Sequence, residues 1–381
     1  MIQLPQKHAS TGTSIFAIMS GLAQQHGAIN LSQGFPDFQI DEQLSTFLEE
    51  GVRLGFNQYA PMPGLPMLRQ AIADDFKRRY AVDIDADNEI TISPGATYGI
   101  YTAFTAILQP GDEAIVFEPA YDSYIPNIEM NGARAVPIPL TAPDFTVDWN
   151  RVKAAITPRT KAIILNTPHN PTGTIWSKAD WDTLAEIVRD TDIAILSDEV
   201  YEQLVYDGAT HYSVLQHPEL RQRSFAIYSF GKAHNNTGWK MGYCIAPPTF
   251  TQAYRRLHQF TSFSVNTPAQ YAIAKHISSG TASPVRAIME AKRNHFLSLL
   301  KNTPFTIHKP AQGSYFQLAT YESISDKGDL EFAQWLTKEH GVATIPVSAF
   351  YHNRHDDKII RFCFAKKEET LEKAIEQLSR L

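Results

Sequence analysis

Seven short apolar runs lie between residues 89 and 247: EITIS, EAIVFEP, RAVPIPL, KAIILNTP, IAILSDE, FAIYSFG and GYCIAP. Each has the length of a buried strand, and their Ile and Val content favours β structure over a short core helix. The amphipathic segments between several of them supply crossover helices. The pattern therefore predicts an α/β core on a mostly parallel sheet, over about residues 45–265. After TSFSVNTPAQ come a helical stretch (AIMEAKRNHFLSLLKN), two strand-like pieces (SYFQLA and IIRFCFA) and a last helix (KEETLEKAIEQLSRL). These predict a smaller α+β domain over 266–381, joined by an N-terminal arm over 1–44.

Composition narrows the function classes. A chain of 381 residues, 43% hydrophobic, can bury more than one core. Thirty-four basic residues against 40 acidic ones leave a formal charge of −6, which argues against a broad nucleic-acid surface or a polybasic membrane surface. Cys244 and Cys363 sit in apolar runs, a setting for buried reduced thiols rather than a disulfide scaffold or a zinc site. The opening MIQLPQKHASTG has no apolar signal-peptide core, and no run approaches the ~18 apolar residues of a membrane span. A soluble cytoplasmic protein is expected.

In open α/β sheets ligands collect beyond the carboxyl ends of the strands, so the informative residues follow each apolar run. EAIVFEP leads to Tyr121, KAIILNTP to Asn170, and IAILS to Asp198 and Tyr201; FAIYSFG leads to Lys232, with Ser229 just before it. If these strands are neighbours, an aromatic ring, an amide, a carboxylate, a phenol and an amine converge on one crevice. Each residue alone has a plainer reading. Asp198 suits a helix N-cap, Asn170 before Pro171 a turn, Lys232 a solvated surface amine, and Tyr121 and Tyr201 core aromatics. The set is harder to dismiss than its members.

One further exit is EITISPGATYGIYTAFTAIL, a strand followed by Gly95, Ala96, Thr97 and an apolar helix. A glycine turn opening a helix lets backbone N–H groups approach an anion, and the helix dipole favours a phosphate there. An ordinary strand-to-helix turn reads the same way. The segment lacks GxGxxG spacing. Gly231 and Lys232 form no P-loop either, because Ala226 stands where the first glycine belongs and Ala233 follows the lysine.

With these residues in place, the chain resembles the class I aminotransferases of PLP fold type I. The likeness runs through NLSQGFPDF, NQYAPMPGLPMLR, SPGAT, NTPHNPTG, SDEVYE, SFGKAHNNTGWKMGYC and IIRFCFAKK. Within that family it is most similar to the methionine aminotransferase and glutamine/kynurenine transaminase branch. The resemblance implies a large domain with a mostly parallel seven-stranded sheet flanked by helices, plus a smaller α+β domain. It implies pyridoxal 5'-phosphate (PLP) held by Lys232 as a Schiff base, with the same lysine later serving as acid and base. Asp198 would pair with the pyridine nitrogen and keep the ring an electron sink. Asn170 and Tyr201 would bond the ring's phenolic oxygen, and Tyr121 would stack on its face. Gly95, Ala96, Thr97, Ser229 and Lys240 would hold the phosphate. Tyr59 would reach it from the partner subunit, which implies a homodimer with shared sites. Arg361 would clamp the substrate α-carboxylate through two parallel hydrogen bonds, with the Gly34 backbone closing over it. Read without the family, Arg361 is an edge-strand surface residue.

The sequence departs from the family directly after the lysine, where Ala233 and His234 replace the usual hydroxyl residue. His234 reads as a loop histidine satisfied by a neighbour rather than an extra base. HNRHDD, 352–357, reads as a polar loop rather than a metal site.

Candidates to face the substrate side chain are Ile15, Phe16, Phe38, Tyr59, Phe263 and Phe350; core packing is an equal use for half of them. An apolar pocket predicts neutral substrates such as methionine, phenylalanine, tyrosine, leucine, kynurenine or glutamine, with broad specificity, since similar apolar groups differ by only about 1–3 kcal/mol. Transfer to a 2-oxo acid by a ping-pong mechanism is the expectation, and cysteine-conjugate β-lyase chemistry at the same site is the alternative. Ser229 and Lys232 also form an SxxK string, but KTG is absent and SDE replaces SDN, against a serine acyl-enzyme. A DNA-binding ligand sensor is also not expected, because the arm before SQGFPDF is short.

Overall fold

The computed structural model describes residues 12–280 and 284–381; the start of the expected arm, 1–11, lies outside the described residues. A two-residue strand, β1 (Ile29–Asn30), precedes the main sheet. That sheet contains β2 (Ile90–Ser93), β3 (Glu113–Glu118), β4 (Arg134–Pro139), β5 (Thr160–Asn166), β6 (Ala194–Asp198), β7 (Ser224–Ser229) and β8 (Gly242–Ile245). These are the seven apolar runs of the sequence. Their order is β2-β8-β7-β6-β5-β3-β4, and β8 alone runs antiparallel to its neighbours. Helices on both faces make most of the strands fully buried, which is why they read as continuous apolar runs rather than alternating ones.

β9 (Phe316–Thr320), β10 (Val342–Ala343), β11 (Ile345–Pro346) and β12 (Ile359–Cys363) complete the strands among the described residues. β11, β12 and β9 form an antiparallel sheet in that order, and β10 pairs with β1. The helices Val285–Leu300 and Glu368–Leu378 cover this smaller sheet with Met289, Phe296, Leu371 and Leu378, all buried.

Local signals set the helix ends. Ser177 and Asp180 form a reciprocal capping box, Asp41 and Asn266 accept N-cap hydrogen bonds, and Gly27 closes its helix in the left-handed region at φ 60°. The helix Thr267–Ser278 packs against the helices Glu42–Arg53 and Pro66–Tyr80, and its Ala269, Ala272 and Ile273 belong to the buried cluster that includes Ile90 and Ile92. Cys244 and Cys363 are buried and unpaired. No helix among the described residues is long and apolar enough to cross a membrane.

Candidate active site

The strand order makes β7, β6, β5 and β3 successive neighbours, so their carboxyl ends open onto one crevice. A cavity of ≈ 290 Å³ lies there, and its wall includes Gly34, Gly95, Ala96, Thr97, Tyr121, Asn170, Asp198, Tyr201, Ser229, Lys232 and Lys240. The residues expected from separate strand exits therefore meet at one place.

Asp198 ends β6 at the cavity floor and is 5% exposed. The Tyr124 hydroxyl donates to its Oδ2 at 2.5 Å and the Val200 N–H to its Oδ1 at 3.2 Å. Burial dominates these bonds and pushes the carboxyl up to about 6. A buried acid with no cation bonded to it favours a cationic partner. Lys232, in the short helix after β7, has its amine drawn down to about 8 by burial. It donates to the Tyr315 hydroxyl at 2.9 Å and, more distantly, to the Gly34 carbonyl at 3.4 Å.

The helix Ala96–Ile107 opens at Gly95, whose φ of 88° belongs to glycine and whose position carries no side-chain cap. Its first N–H groups thus lack the usual side-chain acceptor. A Cβ on Gly95 would come 3.7 Å from the Lys240 amine, so a cation sits beside the positive end of a helix. Lys240 itself takes a left-handed backbone, φ 52°, uncommon for a side-chain-bearing residue. Gly242 on β8 permits the approach, for a Cβ there would lie 2.6 Å from the Tyr228 carbonyl and 3.0 Å from the Ala96 nitrogen. This cradle suits an anion, and a phosphate ester with an aldehyde and a basic ring nitrogen matches the cradle, the amine and the carboxylate together.

Arg361, on β12, is fully buried, and among the described residues no carboxylate lies within ion-pair distance of it. It donates to Asn170 Oδ1 at 2.7 Å and to the Ser32 carbonyl at 2.9 Å, while its Nε has no partner. Phe316, Phe16 and Phe350 surround the guanidinium at 3.8, 5.3 and 5.2 Å. Burial lowers its pKa to about 10, still cationic at neutral pH. A desolvated cation without a counter-charge is costly unless an anion joins it. The edge-strand surface reading of Arg361 is thus corrected: β12 is the middle strand of its sheet.

Other expectations fare differently. Tyr59 is 83% exposed and meets Phe263 edge-on at 5.6 Å, outside the cavity of its own chain. Phe38 faces the Lys292 amine at 4.9 Å and, like Phe16 and Phe350, is not on the wall of this cavity. Ile15 packs against the main core. His234 is buried against His276, its ring held neutral because burial lowers its pKa to about 3. It lines a larger cavity, ≈ 500 Å³, beyond Ser229 and Val200. The acids there are already engaged, Glu202 by Arg79 and Tyr80 and Glu199 by His211 and Tyr228. The lysine, the buried carboxylate and the anion cradle all line the smaller cavity. In the 352–357 loop, His352 pairs with Glu118 at 2.9 Å.

Sequence reasoning missed Tyr124, Tyr315 and Phe316. Tyr124 opens a helix three residues after Tyr121, and the two rings meet edge-on at 5.8 Å. Nothing local to SYFQLA points to the crevice.

Comparison with known proteins agrees with this arrangement. Residues 26–378 match the family Aminotransferase class I and II. The methionine aminotransferase of Escherichia coli (strain K12) is 46% identical, covering 99% of this chain and 98% of that protein. A kynurenine–oxoglutarate transaminase of Dictyostelium discoideum is 32% identical over 99% of this chain and 96% of its own length. The crystal structure of YbdL from Escherichia coli, identified as a methionine aminotransferase, superposes with a TM-score of 0.97 at 45% identity, all of both chains being covered. With the lysine, the buried carboxylate and the anion cradle in one crevice, and Arg361 bonded to Asn170 of its wall, the chain belongs to the class I and II aminotransferase family.

Proposed function

We propose that this aminotransferase binds PLP in the 290 Å³ cavity and moves the amino group of a methionine-like amino acid to a 2-oxo acid. When bound, PLP supplies an aldehyde that takes up amino groups and a cationic ring that withdraws electrons from the substrate Cα. The Gly95–Ala96–Thr97 turn, Ser229 and Lys240 hold its phosphate. Asp198 would keep the ring nitrogen protonated, Asn170 and Tyr201 would hold the ring oxygen, and Tyr121 would pack against the ring. Lys232 would hold the group covalently and, once displaced, would move the proton at Cα. Its lowered pKa leaves part of the amine neutral near physiological pH, as both tasks require.

The observation that carries the reading is Arg361, fully buried, in no ion pair among the described residues, and bonded to Asn170 of the cavity wall. Two of its donors are engaged, and the rest await a planar anion such as an α-carboxylate, with the Gly34 backbone closing over it. Charged residues of the cavity wall are Asp198, Lys232 and Lys240, each with a task toward the cofactor. Among the described residues of the wall that leaves no cation for a side-chain carboxylate and favours neutral substrates, as does the similarity to a methionine aminotransferase. Phe16 and Phe350, around Arg361, supply apolar surface. The exposed Tyr59 supports a homodimer in which Tyr59 of the partner subunit completes the phosphate site. Two free buried thiols suit work in the cytoplasm.

Methionine added without an acceptor should bleach the visible absorption of the loaded protein and release one equivalent of 2-oxo acid per site. A 2-oxo acid should then restore the spectrum. An unchanged spectrum across a panel of amino acids, kynurenine and glutamine included, would refute transamination. Pyruvate release from a cysteine conjugate without acceptor would instead reveal β-lyase turnover.

A further inference from the structure

Tyr315 immediately precedes β9, 83 residues from Lys232 in sequence, and its side chain is fully buried. Its hydroxyl lies 2.6 Å from the Gly34 carbonyl and 2.9 Å from the Lys232 amine. The Tyr315 hydroxyl donates to the Gly34 carbonyl, and the Tyr201 hydroxyl is a second group its proton can serve. Either choice leaves an oxygen lone pair facing the lysine, which donates.

The ring is held in place. It meets Tyr201 edge-on at 5.1 Å and Phe316 at 4.8 Å. On its other side a Cβ at Gly34 would lie 3.6 Å from Tyr315 Cε2 and 2.8 Å from Phe316 Cζ, so only glycine lets the turn lie this close. Burial raises the phenol well above its ordinary pKa, so it does not compete with the lysine as a base.

We propose that Tyr315 is a positioning residue, whose hydroxyl holds the free Lys232 amine in place and ties it to the Gly34 turn over the substrate carboxylate. This role rests on the transaminase reading given above. Accepting a hydrogen bond favours the ammonium form, against burial, which favours the neutral amine. The other groups facing Lys232 are Asp198 and Cys363, which raise its pKa, Lys240 and Arg361, which lower it, and the Tyr201 ring at 5.9 Å. Removing the hydroxyl leaves these in place and takes away one stabiliser of the charged amine.

The test compares wild type with Tyr315→Phe as full-length chains free of cofactor, following acylation of Lys232 against pH by peptide mass spectrometry. The midpoint for Tyr315→Phe is expected about one unit lower. In the loaded enzyme kcat for methionine should fall about tenfold, with a smaller change in KM. Tyr315→Gln, which retains a donor and an acceptor, should return the midpoint toward wild type. Tyr315→Met provides the same comparison should Tyr315→Phe fail to fold. An unmoved midpoint in a folded Tyr315→Phe or Tyr315→Met would overturn the role, as would a Gln variant no different from Phe. Hydride trapping of PLP on wild-type Lys232 tests the cofactor reading separately: an adduct there with an unmoved midpoint removes only the role of Tyr315.

Discussion

The Tyr124 hydroxyl donates to Asp198 Oδ2 at 2.5 Å, the only side-chain hydrogen bond made to that carboxylate among the described residues. The bond opposes burial, which otherwise drives the acid toward its neutral form. Tyr124→Phe should therefore raise the pKa of Asp198 further. A bond to a charged group corresponds to about one pH unit. The acid limb of the kcat/KM profile should shift upward by about that amount, with rates above pH 8 nearly unchanged. A profile superimposable on wild type would show that Tyr124 only fills space.

Asp198 also sets a stability cost. Its folded-state pKa, about 6, lies above the ~3.9 of an unperturbed aspartate, so the folded chain prefers the protonated acid. That preference contributes fully at low pH and is lost as pH rises through about 6. Asp198→Asn should therefore stabilise the cofactor-free chain at pH 7.5 by about 1–3 kcal/mol, the gain shrinking toward pH 4.5. Activity should fall by about 10² to 10³ in the same variant, because the ring nitrogen loses its anion. Denaturant melts at the two pH values measure the first effect and steady-state rates the second.

Arg361→Lys keeps the charge and loses the planar fork. Asn170 and the Ser32 carbonyl already occupy two guanidinium donors, and a single ammonium cannot serve both and a carboxylate. KM for methionine should rise about 10- to 100-fold, a loss of one or two charge-assisted hydrogen bonds. Methionine amide, which lacks the carboxylate, should be affected far less. Equal losses for both compounds would count against carboxylate binding at Arg361.

Tyr59 provides a test of shared sites. A Lys232→Ala chain and a Tyr59→Ala chain should each be impaired alone. Mixed dimers should recover activity, because one of their two sites then combines an intact lysine with an intact tyrosine from the other subunit. Absence of recovery in dimers verified by native mass spectrometry would place the exposed Tyr59 elsewhere.

The seven strands and the crevice at their ends were legible because both depend on local order. Apolar runs of strand length become sheet wherever helices can cover them, and the residue after such a run must lie at the sheet's edge. Tyr121, Asn170, Asp198, Tyr201 and Lys232 meet for that reason alone. The domain division is less local: the expected boundary near residue 265 falls before a helix, Thr267–Ser278, whose buried face joins the large core. We propose that the small domain begins after Ser278.

What only the tertiary structure decided is which distant groups complete the crevice. Arg361 bonds a carbonyl 329 residues away, and Tyr315 reaches a glycine 281 residues away. Phe38, close in sequence to Gly34, turns instead to Lys292. The periodicity of a strand tells which face a residue occupies, but not what the opposing layer brings against it. That partner follows from links between distant segments such as Arg361 to Asn170 and Ala120 to Phe350, a sum over long-range contacts that no single stretch of the chain encodes.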